Sequence, residues 1–398
     1  MAGAALGAGS LLANPSLISS LKTSVLWPGR TTGKTWFHPR ACLLPAREGK
    51  LPSIFMTLQE ITGSDVFGPV HWTISHDAGK SWSEPEPVAA FGRHDIDGGL
   101  QEGVCDVVPQ YHPATNSVLA MGHNVYYQNG KLAKPAEDRW PVYAVRNSKG
   151  RWSEARKVRW DDPRSTAIFT CGCGERLTFE NGDLLVPISF GPKGRTNRSV
   201  TSLRCAFDGQ TVTVKAAGHE LVNPKGRGLL EPSVTQFGGE YFLTIRAEDE
   251  RGYVVRSADG LHWSEPQSWQ WEDGEPLVMS TTQQHWLPHS EGLHLVYTRK
   301  APENAKVFRW RAPVYVAAVD MNTLRLQRGT ERVVFPLDGD AAKSPDHISR
   351  MGNFHPLTFS ADESWVTTGE ERPNDGWKGN LLLARVRWSK PNLLANGI

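Results

Sequence analysis

Residues 231–246 read EPSVTQFGGEYFLTIR: two runs of alternating apolar and polar residues around a Gly-Gly turn, with a carboxylate at the head and an arginine at the end. Alternation with period two on both sides of a glycine turn predicts a β-hairpin with one buried face. The layout recurs. Gln284 leads into HWLPH, and the following HLVYT run ends at Arg299; His355 leads into PLTFS, and SWVTTG ends at Glu370. Each head and end, Glu231 to Arg246, Gln284 to Arg299 and His355 to Glu370, lie 15 positions apart, and Gly174 and Ser189 keep the same interval. Glu102 and His123 bracket a similar unit with a longer turn, and His38 and Gln59 another. About six hairpin units in one chain are the signature of stacked β-blades.

Around this repeat the chain is β-like nearly throughout. HWTIS (71–75), VYAVRN (142–147), VTVKA (212–216), YVVRS (253–257) and VYVAAVD (314–320) alternate between Gly, Pro, Asn and Asp turns. No sustained helical period occurs beyond a possible turn near residues 15–21. The expected fold is all-β, a six-bladed β-propeller of four-stranded antiparallel blades at roughly 36–90, 100–160, 166–215, 229–270, 280–335 and 350–390. Closed β architectures commonly hold 398 residues in one domain. Residues 36–398 are therefore read as one propeller and residues 1–35 as a segment ahead of it.

Composition narrows the class. With 39% hydrophobic residues, 38 Gly and 27 Pro the chain is globular and rich in turns, and its 15 Trp suit inter-blade packing and sugar-facing surfaces. A formal charge of +2 without a Lys/Arg block argues against a nucleic-acid partner. Five cysteines leave at least one unpaired within the chain. Cys42, Cys105 and Cys205 lie in strand-like runs as small buried side chains, and the Cys171/Cys173 spacing fits no common zinc pattern. Neither a metal nor another cofactor is expected. AGAALGAGSLLA (2–13) resembles the apolar part of an export signal, which predicts an exported protein, and no apolar run is long enough to insert into a membrane.

Two turns point to a family. Ser75-His76-Asp77-Ala78-Gly79-Lys80-Ser81-Trp82 fits S-x-D-x-G-x-x-W, Ser257 to Trp263 is a form one residue shorter, and Asn147 to Trp152 is a degenerate copy. The carboxylate can accept turn amides, glycine permits positive φ, and the Trp staples the hairpin to its blade. The pattern resembles the Asp-box repeats of the sialidase superfamily, six-bladed propellers, over most of residues 36–390. That resemblance implies three arginines on a substrate carboxylate, an Asp acid/base and a Tyr nucleophile activated by Glu. Arg246 resembles the second family arginine and Arg311 the third, with Arg309 as a rival. Glu231 resembles the activating Glu, Glu370 a sixth-blade Glu that orients an arginine, and Asp65 the acid/base. The chain departs from the family at two places. Phe37-His38-Pro39-Arg40 stands where the first arginine is expected, and Asn353-Phe354-His355-Pro356 where the Tyr is expected.

Histidine fills these places. Phe-His-Pro occurs at His38 and again at His355, and Glu231-Pro232 takes the equivalent place in the fourth unit. Equal positions of successive blades meet at one axis, so two rings are expected. One holds His38, Glu102, Glu231, Gln284 and His355; the other holds Gln59, His123, Arg246, Arg299 and Glu370. The candidate catalytic residues are Glu231, His123, His355, Glu102 and Asp65. The candidate substrate-binding residues are His38, Arg40, Arg246, Gln284, Arg299, Arg311 and Glu370. Arginines suit a carboxylate or sulfate, and neutral His beside Glu suits acid–base work near pH 7. The expected activity is exo-acting hydrolysis of a terminal sugar on an acidic glycan. The alternatives are a lyase that removes a proton beside a uronate carboxylate, for which Gly122-His123-Asn124 resembles sialidase-like lyases and rhamnosidases, and a glycan-binding propeller without turnover.

Overall fold

The computed structural model describes residues 16–46, 51–133 and 139–397. The export-signal reading of residues 2–13 falls outside them. Six antiparallel sheets surround one axis as a six-bladed propeller. Blade one runs Trp36–Leu44, Ser53–Gly63, Val66–Ser75 and Glu86–Pro87 from the axis outward, and blade four runs Leu229–Phe237, Glu240–Ala247, Gly252–Ser257 and Gln267–Ser268. Blades one, four and six have the four strands expected. Short additional strands bring blades three and five to five and blade two to six.

The blades form because each strand buries alternate side chains against its neighbour. Large side chains such as Trp269, Trp286 and Trp365 are completely buried, and the apolar clusters span successive sheets. Ring closure uses both ends of the chain. Ile18–Trp27 pairs antiparallel with Leu381–Trp388, so blade six is built from three C-terminal strands and one N-terminal strand. The propeller thus begins at Ile18, ahead of the boundary expected at residue 36.

Strand direction separates the two faces. Inner strands start, and second strands end, on one face; the turns after the third strands lie on the other. Asp77 Oδ1 accepts the amides of Lys80 and Ser81, and Asp259 Oδ1 accepts those of Leu261 and His262. Both turns belong to the second face. Asn147 Oδ1 likewise takes the Lys149 and Arg151 amides. All five cysteines are buried free thiols. Among the described residues no helix is long and apolar enough to cross a membrane.

Candidate functional site

Three inner strands break register at one equivalent point. Phe37 pairs with Gln59 and Arg40 with Thr57; Cys105 pairs with His123 and Val108 with Met121; Leu230 pairs with Arg246 and Ser233 with Thr244. The residue that follows the first pair adopts positive φ in each case: His38 at 50°, Asp106 at 55° and Glu231 at 46°. None is glycine, and a left-handed conformation costs a non-glycine residue about 1–2 kcal/mol. Bulges re-aim side chains and concentrate beside active sites. These three turn a histidine and two carboxylates toward the axis on the face where the inner strands begin.

The first two are joined. Asp106 Oδ1 lies 3.4 Å from His38 Nε2 and accepts from Arg40 Nη2 at 3.1 Å. Arg40 is fully buried and also donates to the Phe354 carbonyl at 3.2 Å and to Gln283 at 3.3 Å. Burial alone would raise the Asp106 pKa, but His38, Arg40 and His123 together hold it at about 2, so the carboxylate is ionised. Burial lowers His123 to about 4, against the opposing pull of Asp106, so its imidazole is neutral near pH 7. His123 Nε2 lies 3.4 Å from Cys105 Sγ, and its Nδ1 is buried without a partner among the described residues. Cys105, Asp106 and His123 bring one possible metal-ligand atom each within 4.8 Å of one another. Arg40 and His38 already hold Asp106 Oδ1, and burial drives the Cys105 thiol well above its usual range.

The third bulge opens onto arginines. Arg246 donates to Glu231 Oε1 at 2.5 Å and to Thr281 at 3.3 Å, and lies 3.8 Å from Glu248, which also binds Arg227. Arg311 is 3.6 Å from Glu371, a carboxylate shared with Arg350, and its Nε is buried without a partner among the described residues. Burial first, with Arg246 and Arg309 opposing further positive charge, lowers Arg311 to about 10. Arg198 is lowered to about 10 by burial and then by Arg139 and Arg227, with Arg246 adding to them. Guanidinium groups therefore crowd around Glu231 and His123.

The remaining candidates separate by position. Asp65 lies in the exposed turn between Ser53–Gly63 and Val66–Ser75, with φ 56°, near enough for its charge to act on His38. His355 is buried in the axial column below Phe354, beside His285 at a ring separation of 5.3 Å, and burial holds it neutral. In that column Ser233 donates to Glu175, whose pKa burial pushes up to about 8. Glu102 stands four positions beyond the bulge on an extension of the blade-two hairpin, bound to Asn124 at 2.8 Å and 3.2 Å from His94. Gln284 accepts from Thr244 between blades four and five. Arg299 is clamped by Glu331 at 2.6 and 2.8 Å and lies over Tyr315. Glu370 orients an arginine, Arg30, at 2.5–2.7 Å.

The equal intervals thus do not mean equal registers. Blade five pairs His285 with Val296 without a bulge, and blade six pairs His355 with Thr367, so neither Gln284 and Arg299 nor His355 and Glu370 face each other. The axial partner of Glu231 in blade two is Asp106, and the rings reduce to His38/Gln59, Asp106/His123 and Glu231/Arg246. Sequence reasoning missed Asp106, Arg139, Arg198 and Arg227. One signal was present: Arg139-Trp140-Pro141-Val142-Tyr143 and Arg311-Ala312-Pro313-Val314-Tyr315 share R-x-P-V-Y and open the third strands of blades two and five.

Two larger surface grooves, about 830 and 940 Å³, lie at the outer strands of blades two and three and of blades one and two. Neither contains any residue of the three bulges.

No known family model and no curated protein matches the sequence. Solved structures do match the fold. A protein of unknown function from Dyadobacter fermentans superposes with a TM-score of 0.64 at 14% identity, over 93% of this chain and 100% of that one. Trypanosoma rangeli sialidase gives 0.63 at 16% identity, over 93% of this chain and 60% of its own. The Hadza microbial sialidase Hz136 gives 0.63 at 16%, over 92% and 68%. The chain therefore has a sialidase-like six-bladed propeller fold.

Proposed function

We propose that this propeller is a carbohydrate-active enzyme, a glycoside hydrolase that acts on a terminal sugar of an acidic glycan. The observation that carries the reading is the juxtaposition of an ionised Asp106, a neutral His123 and the Glu231–Arg246 pair at equivalent bulges, within a field of arginines. Arg246 and Arg311 supply the donors for an anionic group on the sugar, since a guanidinium matches a carboxylate or sulfate with two parallel hydrogen bonds. Neutral His123 can take a proton from water, and the adjacent Asp106 carboxylate stabilises the imidazolium that results. Water then attacks the anomeric carbon as its bond to the leaving oxygen breaks, and Glu231, 28% exposed at its side chain and released when the anionic sugar group takes over Arg246, gives the leaving oxygen a proton from its acid form.

The route proposed does not pass through a tyrosine nucleophile. Phe354 and His355 stand where the family resemblance implies the tyrosine, which leaves Glu231 no phenol there to activate. Direct attack by water fits the residues present. The same absence favours a second reading, elimination beside a uronate carboxylate: His123 takes the carbon-bound proton, the arginines hold the enediolate, and its collapse to the double bond expels the glycosidic oxygen, which takes up a proton from solvent. Incubation with a panel of acidic glycans decides between them. Reducing ends without a new ultraviolet chromophore are expected; an unsaturated product means elimination; binding of an acidic sugar without any product means a glycan-binding propeller. Export from the cytoplasm remains part of the proposal.

A further inference from the structure

We propose that Arg139 and Arg198 form a second anion-binding subsite in the cleft, on the wall opposite Arg311, which takes a sulfate ester or a second carboxylate of the glycan. The inference rests on the functional reading above and narrows its substrate class to a sugar, or a pair of adjacent sugars, with two anionic groups.

The repeat supports it first. Arg139 and Arg311 occupy the same position of R-x-P-V-Y, each ahead of a third strand, on the second and fifth of six blades. Three blade steps of a six-fold ring place them across the axis from each other. Arg198 holds the corresponding position ahead of Ser199–Phe207 in blade three. Both backbones are fixed across blade boundaries. Arg139 donates its amide to the Ala167 carbonyl at 3.1 Å and accepts from Phe169 at 2.9 Å; Arg198 donates to the Arg227 carbonyl at 2.7 Å and accepts from Leu229 at 2.9 Å. A Cβ on Gly228 would lie 2.1 Å from the Arg198 carbonyl oxygen, so the glycine is what admits this close approach.

Charge supports it second. Arg227, Arg246 and Arg311 each have a carboxylate partner in Glu248, Glu231 or Glu371. Arg139 and Arg198 make no direct ion pair among the described residues; both are half-buried and repel each other, and the one carboxylate that attracts Arg198, Glu231, is already held by Arg246. Half-buried guanidinium groups with no direct ion pair among the described residues gain from an anion that bridges them. The crowding also reaches His123, whose positive form Arg139 and Arg198 both disfavour. An anion held there would raise the basicity of the imidazole as the substrate arrives.

Calorimetric titration of inorganic sulfate, and separately of acetate, into the full-length protein tests the inference. Arg139→Gln/Arg198→Gln should weaken sulfate binding at least about tenfold, while Arg246→Gln/Arg311→Gln leaves this component in place. Circular-dichroism melts establish that each variant is folded, and Arg139→Lys/Arg198→Lys should recover part of the affinity. Stronger sulfate than acetate binding at this pair identifies a sulfate ester; the reverse identifies a carboxylate. If only Arg246→Gln/Arg311→Gln abolishes binding, the second subsite is wrong and the first survives. If neither pair matters, both readings fail, and the absence of any anion binding to the wild type overturns the subsite.

Discussion

Replacing Asp106 by Asn removes the charge on which the axial site is centred while keeping its shape. Arg40 then remains buried with only the Phe354 carbonyl and Gln283 as acceptors, and His38 and His123 lose their carboxylate. The depression of Asp106 from 3.8 to about 2 corresponds to about 2 kcal/mol, at about 1.4 kcal/mol per unit. Because the folded-state value is the lower one, this stabilisation is complete above the unfolded value and disappears as the pH falls through about 2. Urea unfolding followed by tryptophan fluorescence should show Asp106→Asn less stable by about 2 kcal/mol near pH 7, by about half that near pH 3, and equal to wild type below about pH 2. Arg40→Met combined with Asp106→Asn should be less destabilised than the sum of the single variants, because the pair is removed together. An undiminished difference near pH 3, or one below about 0.5 kcal/mol near pH 7, would refute the electrostatic account of this bulge.

If His123 acts as a neutral base, kcat/KM should fall on the acid side with a midpoint near 4, and His123→Gln should lose most activity and that limb together. Glu231→Gln should lower kcat about 100-fold or more while the acidic sugar still binds, a split read by steady-state kinetics alongside calorimetry. His38, His123, His285, His294 and His355 all titrate below 6.5 because they are buried, so the unfolded chain binds more protons than the folded one below that pH. Thermal melts should therefore show stability falling as the pH drops from about 6.5, with each histidine contributing at most about 1.4 kcal/mol per pH unit; a flat profile to pH 5 would contradict this. Deleting residues 1–27 should leave the Leu381–Trp388 edge unpaired and give aggregated or open protein by size exclusion.

The blades were legible because alternation and turn chemistry are local: FGGE at 237–240 and the Asp77 and Asp259 turns each write their hairpin into a few residues. The site was legible where a bulge coincided with a polar head residue, as at Glu231 and His38. It was hidden at Asp106, where VCDVV reads as an ordinary apolar strand and the extra residue leaves no trace in the alternation. The shared 15-residue interval misled at Arg299 and Glu370, since constant spacing cannot distinguish a bulged strand from an unbulged one. The strand at Ile18–Trp27 escaped notice because its partner lies more than 350 residues away in sequence, beyond the reach of any local pattern. Arg139 was readable in principle, through its R-x-P-V-Y match to Arg311.

That long-range pairing sets a timetable for the newborn molecule. The first strand of the propeller to be synthesised belongs to the last blade completed, and it waits for Leu381–Trp388 through roughly 20–70 s of synthesis at ordinary rates. Five blades can assemble during that wait, but the circle cannot shut, and an unclaimed strand stays open to wrong partners. Concentration and chaperone supply should therefore influence the yield of this protein, and a chain without Leu381–Trp388 should behave as an open ribbon and not as a slightly smaller ring.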